Sequence, residues 1–112
     1  MLDKESNAYV TVEELQGEIG IPIISSPNPS SITLAPNTLY NLGTLSGSLT
    51  VSFSGGMSGY ASEYMFRFIA GSGCSVTLPS GTRYLDDTAP TFTTGKTYEF
   101  DILEGLAVVG EY

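Results

Sequence analysis

The 112-residue chain has no histidine and no tryptophan, a single cysteine, and four basic residues against twelve acidic ones. Each shortage removes a class of chemistry. Without His there is no Ser-His-Asp or Cys-His triad, no His-ligated zinc, and no side chain that ordinarily titrates near neutral pH. The lone thiol, Cys74, excludes an intrachain disulfide and a cysteine cluster. It shares one face of an alternating stretch with Val76 and Leu78, where it reads as a structural thiol with no base to activate it. A net charge of −8 opposes DNA, RNA and anionic membrane surfaces. No apolar run approaches the roughly 18 residues of a spanning helix. The residues from Met1 to Ser6 lack the basic-then-apolar order of a secretory signal. Asn28-Pro29-Ser30 carries Pro where a glycosylation sequon forbids it.

Charge of either sign is scarce: 14% of residues, against roughly 25% in an ordinary soluble domain. Fourteen Ser and twelve Thr must keep the surface wet instead. Charge also divides the chain. Five acids and one base fall within residues 1–20, and no charged side chain occurs from Ile21 to Ser62.

The acidic head carries the one good helix signal. Thr11-Val12-Glu13-Glu14 has capping-box spacing, and Val10 and Leu15 are placed for a hydrophobic staple. The pattern predicts a helix over about 12–18 with an apolar side of Val12, Leu15 and Ile19. Two turns are marginal alone, so this helix must dock on something to persist. Its candidate partners are its own domain, another subunit or a larger particle. Ile21 to Ile24 then reads as extended, and Ser25 to Ser30 as a Pro-rich linker. The expected organisation is an attachment segment over 1–24, a linker over 25–30 and a β-domain over 31–112.

That domain reads as seven to nine short strands with turns every 8–12 residues, which points to an all-β fold: an antiparallel β-sandwich, jelly-roll-like, or a small barrel. Ser48–Phe53 alternates Leu49, Val51 and Phe53 against hydroxyls, the pattern of a half-buried antiparallel strand. Glu63–Ala70 reads as a central strand covered on both faces. Lys96–Leu103 turns Tyr98, Phe100 and Ile102 inward, and Glu104-Gly105 reads as a two-residue hairpin. Shorter strands are expected at Ser31–Leu34, Thr38–Leu42, Cys74–Leu78, Tyr84-Leu85, Thr91-Phe92 and Leu106–Gly110. No solenoid period is evident.

No constellation predicts catalysis. Asp86-Asp87 and the pair Glu99 and Asp101 are the nearest approach to paired carboxylates for glycoside hydrolysis or Ca²⁺ binding. They lack metal-loop spacing and read as solubilising acids on turns and strand surfaces. The glycines at 55, 56, 59, 71 and 73 precede no Lys-Ser/Thr pair and read as turns. No enzyme activity, cofactor or metal is expected. Among the aromatics, Tyr60 lies in a Gly/Ser loop and Tyr84 beside a turn, so these two are the candidate ligand contacts.

Leu78-Pro79-Ser80-Gly81-Thr82-Arg83-Tyr84, then Ala89-Pro90-Thr91-Phe92, then the stretch from Gly95 to Gly105 resemble the C-terminal β-domain pattern of fibre and other structural proteins of tailed bacteriophages. The family often has Trp where Tyr84 stands. The segment from Ala8 to Leu15 similarly resembles the short attachment helix of head-fibre-type proteins. The resemblance implies a homotrimer displayed on an extracellular virion, bound to a capsid or tail protein and able to meet host surface glycan. On that reading Val10, Val12, Leu15, Ile19, Ile21 and Ile23 form the attachment interface. The alternative is a carbohydrate-binding β-sandwich module of a bacterial surface or secreted protein.

Overall fold

The computed structural model describes residues 20–112. The expected helix over 12–18 lies outside the described residues, as do Val10, Val12, Leu15 and Ile19. Residues 20–112 form an all-β fold of nine strands and one short 3-10 turn. The strands are β1 (Ile23–Ser25), β2 (Ser31–Leu34), β3 (Leu39–Leu45), β4 (Ser48–Phe53), β5 (Glu63–Ala70), β6 (Ser75–Thr77), β7 (Arg83–Tyr84), β8 (Thr97–Leu103) and β9 (Leu106–Glu111).

The first six strands wind as three stacked coils. Within each coil the chain crosses from one sheet to the other, so β1, β3 and β5 pair in parallel on one side and β2, β4 and β6 in parallel on the opposite side. β8 then pairs antiparallel with β5, β9 antiparallel with β8, and β7 parallel with β9. The result is a six-stranded sheet ordered β1-β3-β5-β8-β9-β7 facing a three-stranded sheet ordered β2-β4-β6.

The antiparallel sandwich or jelly-roll expected from the sequence is therefore corrected to coils in mixed sheets. Alternation in Ser48–Phe53 places Leu49 and Val51 inside, as expected, but the strand runs parallel to both neighbours. Period-2 patterning specifies which face a side chain takes and is silent on the direction of the partner strand. The coils also escape a repeat search because their lengths differ. Ile23 pairs with Leu39, 16 positions on, whereas Leu39 pairs with Met65, 26 positions on.

One rim holds the corners in register. Asn28, with a left-handed φ of 49°, donates from Nδ2 to Ser46 Oγ at 3.1 Å, and its Oδ1 accepts from the Ser46 N–H at 3.1 Å. The Gly71 N–H donates to the Leu45 carbonyl at 2.7 Å. The stretch read as a linker is itself laced to β3, since the Ser26 and Asn28 N–H groups donate to the Asn41 and Leu42 carbonyls. β1 likewise straddles the expected boundary at residue 24. The opposite rim carries the return connections, 35–38, 54–62 and 78–82.

Between the sheets lies an aromatic core. Phe66 and Phe100 face each other across β5 and β8, stacked at 4.5 Å, and Phe68 and Tyr98 are the next opposed pair. Thr91-Phe92, expected as a strand, is instead loop; Phe92 lies edge-on to Tyr98 at 4.9 Å and helps close the core where the second sheet is missing. The buried Tyr98 hydroxyl donates to Glu111 Oε2 at 2.8 Å and accepts from the Thr93 N–H at 2.6 Å. β5 is central but not covered on both faces: Ile69 is 41% exposed on the outer one. Gly43, expected just after a strand, sits inside β3 at a register shift.

The corner stacking generates a test. A Cβ at Gly71 would stand 2.6 Å from the Leu45 carbonyl oxygen, whereas one at Gly47 would meet nothing within 4 Å. Gly71→Ala should destabilise the fold by about 1–3 kcal/mol, the usual range for overpacking, and Gly47→Ala by much less. Urea unfolding of both variants checks the contrast.

Candidate functional site

The return rim carries two open depressions. The second return loop opens with Gly55 and Gly56, both at positive φ, and then closes a turn in which the Tyr60 N–H donates to the Met57 carbonyl at 3.0 Å. Gly59, at φ 84°, occupies the turn position that requires a left-handed residue. This turn holds Tyr60 away from the body with 72% of its surface exposed. Behind it, Phe53 and Tyr64 stack face to face at 4.2 Å, and the Tyr64 hydroxyl donates to the Ser54 carbonyl at 3.2 Å.

Two depressions flank Tyr60. The larger, about 540 Å³, lies between the second return loop, the Pro79–Thr82 turn and the tip of the β8–β9 hairpin. That tip is the expected Glu104-Gly105 turn, with both residues at positive φ as the hairpin twist demands. The Arg83 N–H donates to the Gly105 carbonyl at 2.8 Å and ties the two walls together. The smaller depression, about 420 Å³, lies between Pro36-Asn37 of the first return and residues 56–62 of the second. Glu104 is the one charged side chain lining either, among the described residues. The rest is aromatic ring, hydroxyl, amide and backbone, with Met57, Pro36, Pro79 and Ala61 as the aliphatic part.

Of the two candidate ligand contacts, Tyr60 lines both depressions and Tyr84 lines neither. Tyr84 is half-buried, edge-on to Phe100 at 6.3 Å, and burial pushes its phenol above the usual range. The structure thus does not bring the pair together. Tyr64, on the inward face of β5, is half-buried at the wall of the larger depression. The sequence signal that could have found it is the aromatic residue ending β4 paired with one opening β5.

The other singled-out groups stay apart from the rim. Among the attachment residues, Ile21 and Ile23 are described and are 51% and 67% exposed. Asp87 takes a bidentate contact from Arg83 at 3.0 Å, and Glu99 an ion pair from Arg67 at 3.2 Å. Cys74 is half-buried against the core, and burial pushes its thiol upward. No group of three potential metal ligands occurs among the described residues.

One carboxyl pair went unnoticed in the sequence because its members are 38 positions apart. The register places Met65 opposite Asp101 and Glu63 opposite Leu103, so Glu63 and Asp101 are diagonal neighbours on the outer face of the six-stranded sheet. They sit among Leu103, Leu106 and Val108. Asp101 Oδ1 is buried without a hydrogen-bond partner among the described residues. A proton on Glu63 would be donated to Asp101, and this hydrogen bond, with burial and the Asp101 charge behind it, holds the Glu63 carboxyl above its ordinary value of 4.5.

A raised carboxyl pKa means the folded chain binds that proton more tightly than the unfolded chain. This contribution to stability is therefore full below about pH 4.5 and is lost as pH rises through the folded value. Glu63→Gln should melt higher than the parent at pH 7 and converge with it near pH 4; equal differences at both pH values would contradict the pairing. No protein-family model matches the chain, and no curated protein or solved structure proved similar to it.

Proposed function

We propose that the chain is a non-catalytic structural protein of a tailed-bacteriophage particle, of head-fibre or tail-fibre type. Its N-terminal segment attaches to a capsid or tail protein, and its coiled β-body projects outward as part of a homotrimer, available for host-surface adhesion. The observation that carries this reading is the exposed apolar lead-in to the stack among the described residues. Ile21 and Ile23 are 51% and 67% exposed where the chain leads in from the segment that resembles a fibre attachment helix. A small domain does not ordinarily leave its entry strand so greasy unless something else covers it.

The outer face of the six-stranded sheet supports the oligomeric part. Ile69, Leu103, Leu106 and Val108 are each at least 41% exposed there, the last three around the Glu63 and Asp101 pair. Packing identical copies would bury such surface, and a charge-poor body keeps their mutual repulsion low. The rim groove would serve equally a second reading, a carbohydrate-binding module of a surface or secreted protein, which a monomeric mass would favour.

Two measurements test the proposal. Light scattering on the full chain should give a trimer mass; a strict monomer at high concentration contradicts the fibre reading. Val12→Asp combined with Leu15→Asp should lower incorporation into purified particles by about tenfold or more, since each buried apolar side chain is worth about 1.5–3 kcal/mol. The melting temperature of the free protein should stay unchanged.

A further inference from the structure

We propose that the return rim binds a neutral oligosaccharide, laid along the direction of coil stacking across Tyr60. This rests on the adhesive part of the fibre reading and names its ligand class. The geometry begins with the coils. One depression lies between the first and second return connections and the other between the second and third, and the two share Gly56, Met57, Tyr60 and Ser62 as a common wall. Tyr60 stands between them and lines both. A ligand that fills both must be an extended chain that crosses the tyrosine.

The lining selects the chemistry of that chain. The exposed ring of Tyr60 offers a flat apolar platform of the kind that anchors an amphipathic ring. Ser62, Ser80 and Thr82 offer hydroxyls that both donate and accept, and Glu104 offers a carboxylate that accepts. Asn37 accepts from the Glu63 N–H through Oδ1, which orients its amide with the nitrogen as a further donor. A ligand that presents an apolar face and a rim of hydroxyls satisfies all of them. An acidic glycan does not, because no cation lines either depression among the described residues and the chain carries −8 overall. A proline-rich peptide is the other extended ligand that aromatic grooves take, but its prolines present carbonyl acceptors and no N–H, so they leave the acceptor lone pairs of the Glu104 carboxylate unmatched.

The pre-formed walls favour recognition over induced folding. The Phe53 and Tyr64 stack, the Tyr60 turn and the Arg83 to Gly105 tie each fix part of the groove through contacts within the chain. The exposure of Tyr60 also makes it safe to change, because its side chain contributes little to the core.

The test uses the full chain on an array of neutral hexasaccharides of glucose, mannose and N-acetylglucosamine, with sulfated and uronic-acid hexasaccharides and a proline-rich decapeptide alongside. At least one neutral hexasaccharide should bind, with an affinity unchanged between low and high salt. Tyr60→Ala should weaken it about tenfold, and Tyr60→Phe should retain it, because the ring and not the hydroxyl forms the platform. Tyr84→Phe should leave it unchanged. Binding to no neutral hexasaccharide, preference for the acidic glycans or the peptide, or indifference to Tyr60→Ala would each overturn the proposal. Particle incorporation and trimer mass are read without any glycan, so the fibre reading stands or falls separately.

Discussion

Parallel strands cannot be joined by a tight hairpin, and the connection between them must leave the sheet and come back. In this chain the detour is a strand in a second sheet, and the two ladders then constrain each other. The close passage of Gly71 under the Leu45 carbonyl and the Asn28 side chain spanning to Ser46 fix the height of each coil on the one below. The connections at that rim, 26–30, 46–47 and 71–74, stay short, and the largest length difference among the coils falls at the other rim. The long second return, from Ser54 to Ser62, is that surplus, and it is where the concave surface forms.

The two halves of the fold divide the work differently. The coils are a nearest-neighbour structure, each contacting only the next, and such a stack has exposed ends. β8 covers the edge of β5 with an antiparallel ladder, and the aromatic pairs Phe66 with Phe100 and Phe68 with Tyr98 weld that junction. At the other end β1 leaves Ile23 and Ile24 substantially exposed. An edge strand with greasy side chains and unpaired backbone is a template for association. On the proposed fibre reading this asymmetry separates attachment from display: among the described residues the lead-in strand is the exposed apolar end, and the hairpin tip belongs to the rim with the groove.

Much of the strand inventory was legible. Ser31–Leu34, Ser48–Phe53 and Glu63–Ala70 were bounded correctly, and Tyr98, Phe100 and Ile102 point inward, because alternation over four to eight residues leaves little freedom in the choice of face. The Glu104-Gly105 turn was equally plain, since few residue pairs accept two consecutive positive φ values. Ser46-Gly47 has the look of a hairpin turn but is a corner between sheets; the local residues tolerate both, and only the Asn28 side chain arriving from a neighbouring coil decides. Tyr60 was identified as an exposed loop aromatic, whereas Tyr84 could not be separated from it, because whether a turn-flanking ring faces solvent or Phe100 depends on a partner 16 residues away.

The sequence by itself determined the class of structure and the kinds of chemistry open to it: hydroxyl-rich alternating strands, no histidine, one thiol, and an excess of acid over base. These are properties of composition and of the two-residue repeat, and they hold whatever the strands pair with. Tertiary structure alone decided that the strands coil in parallel, that Glu63 meets Asp101, and that Tyr60 stands between two depressions. Those outcomes depend on which distant segments become neighbours. That choice is made by summed packing across a core and by backbone fit at one crowded rim, and no local pattern encodes it.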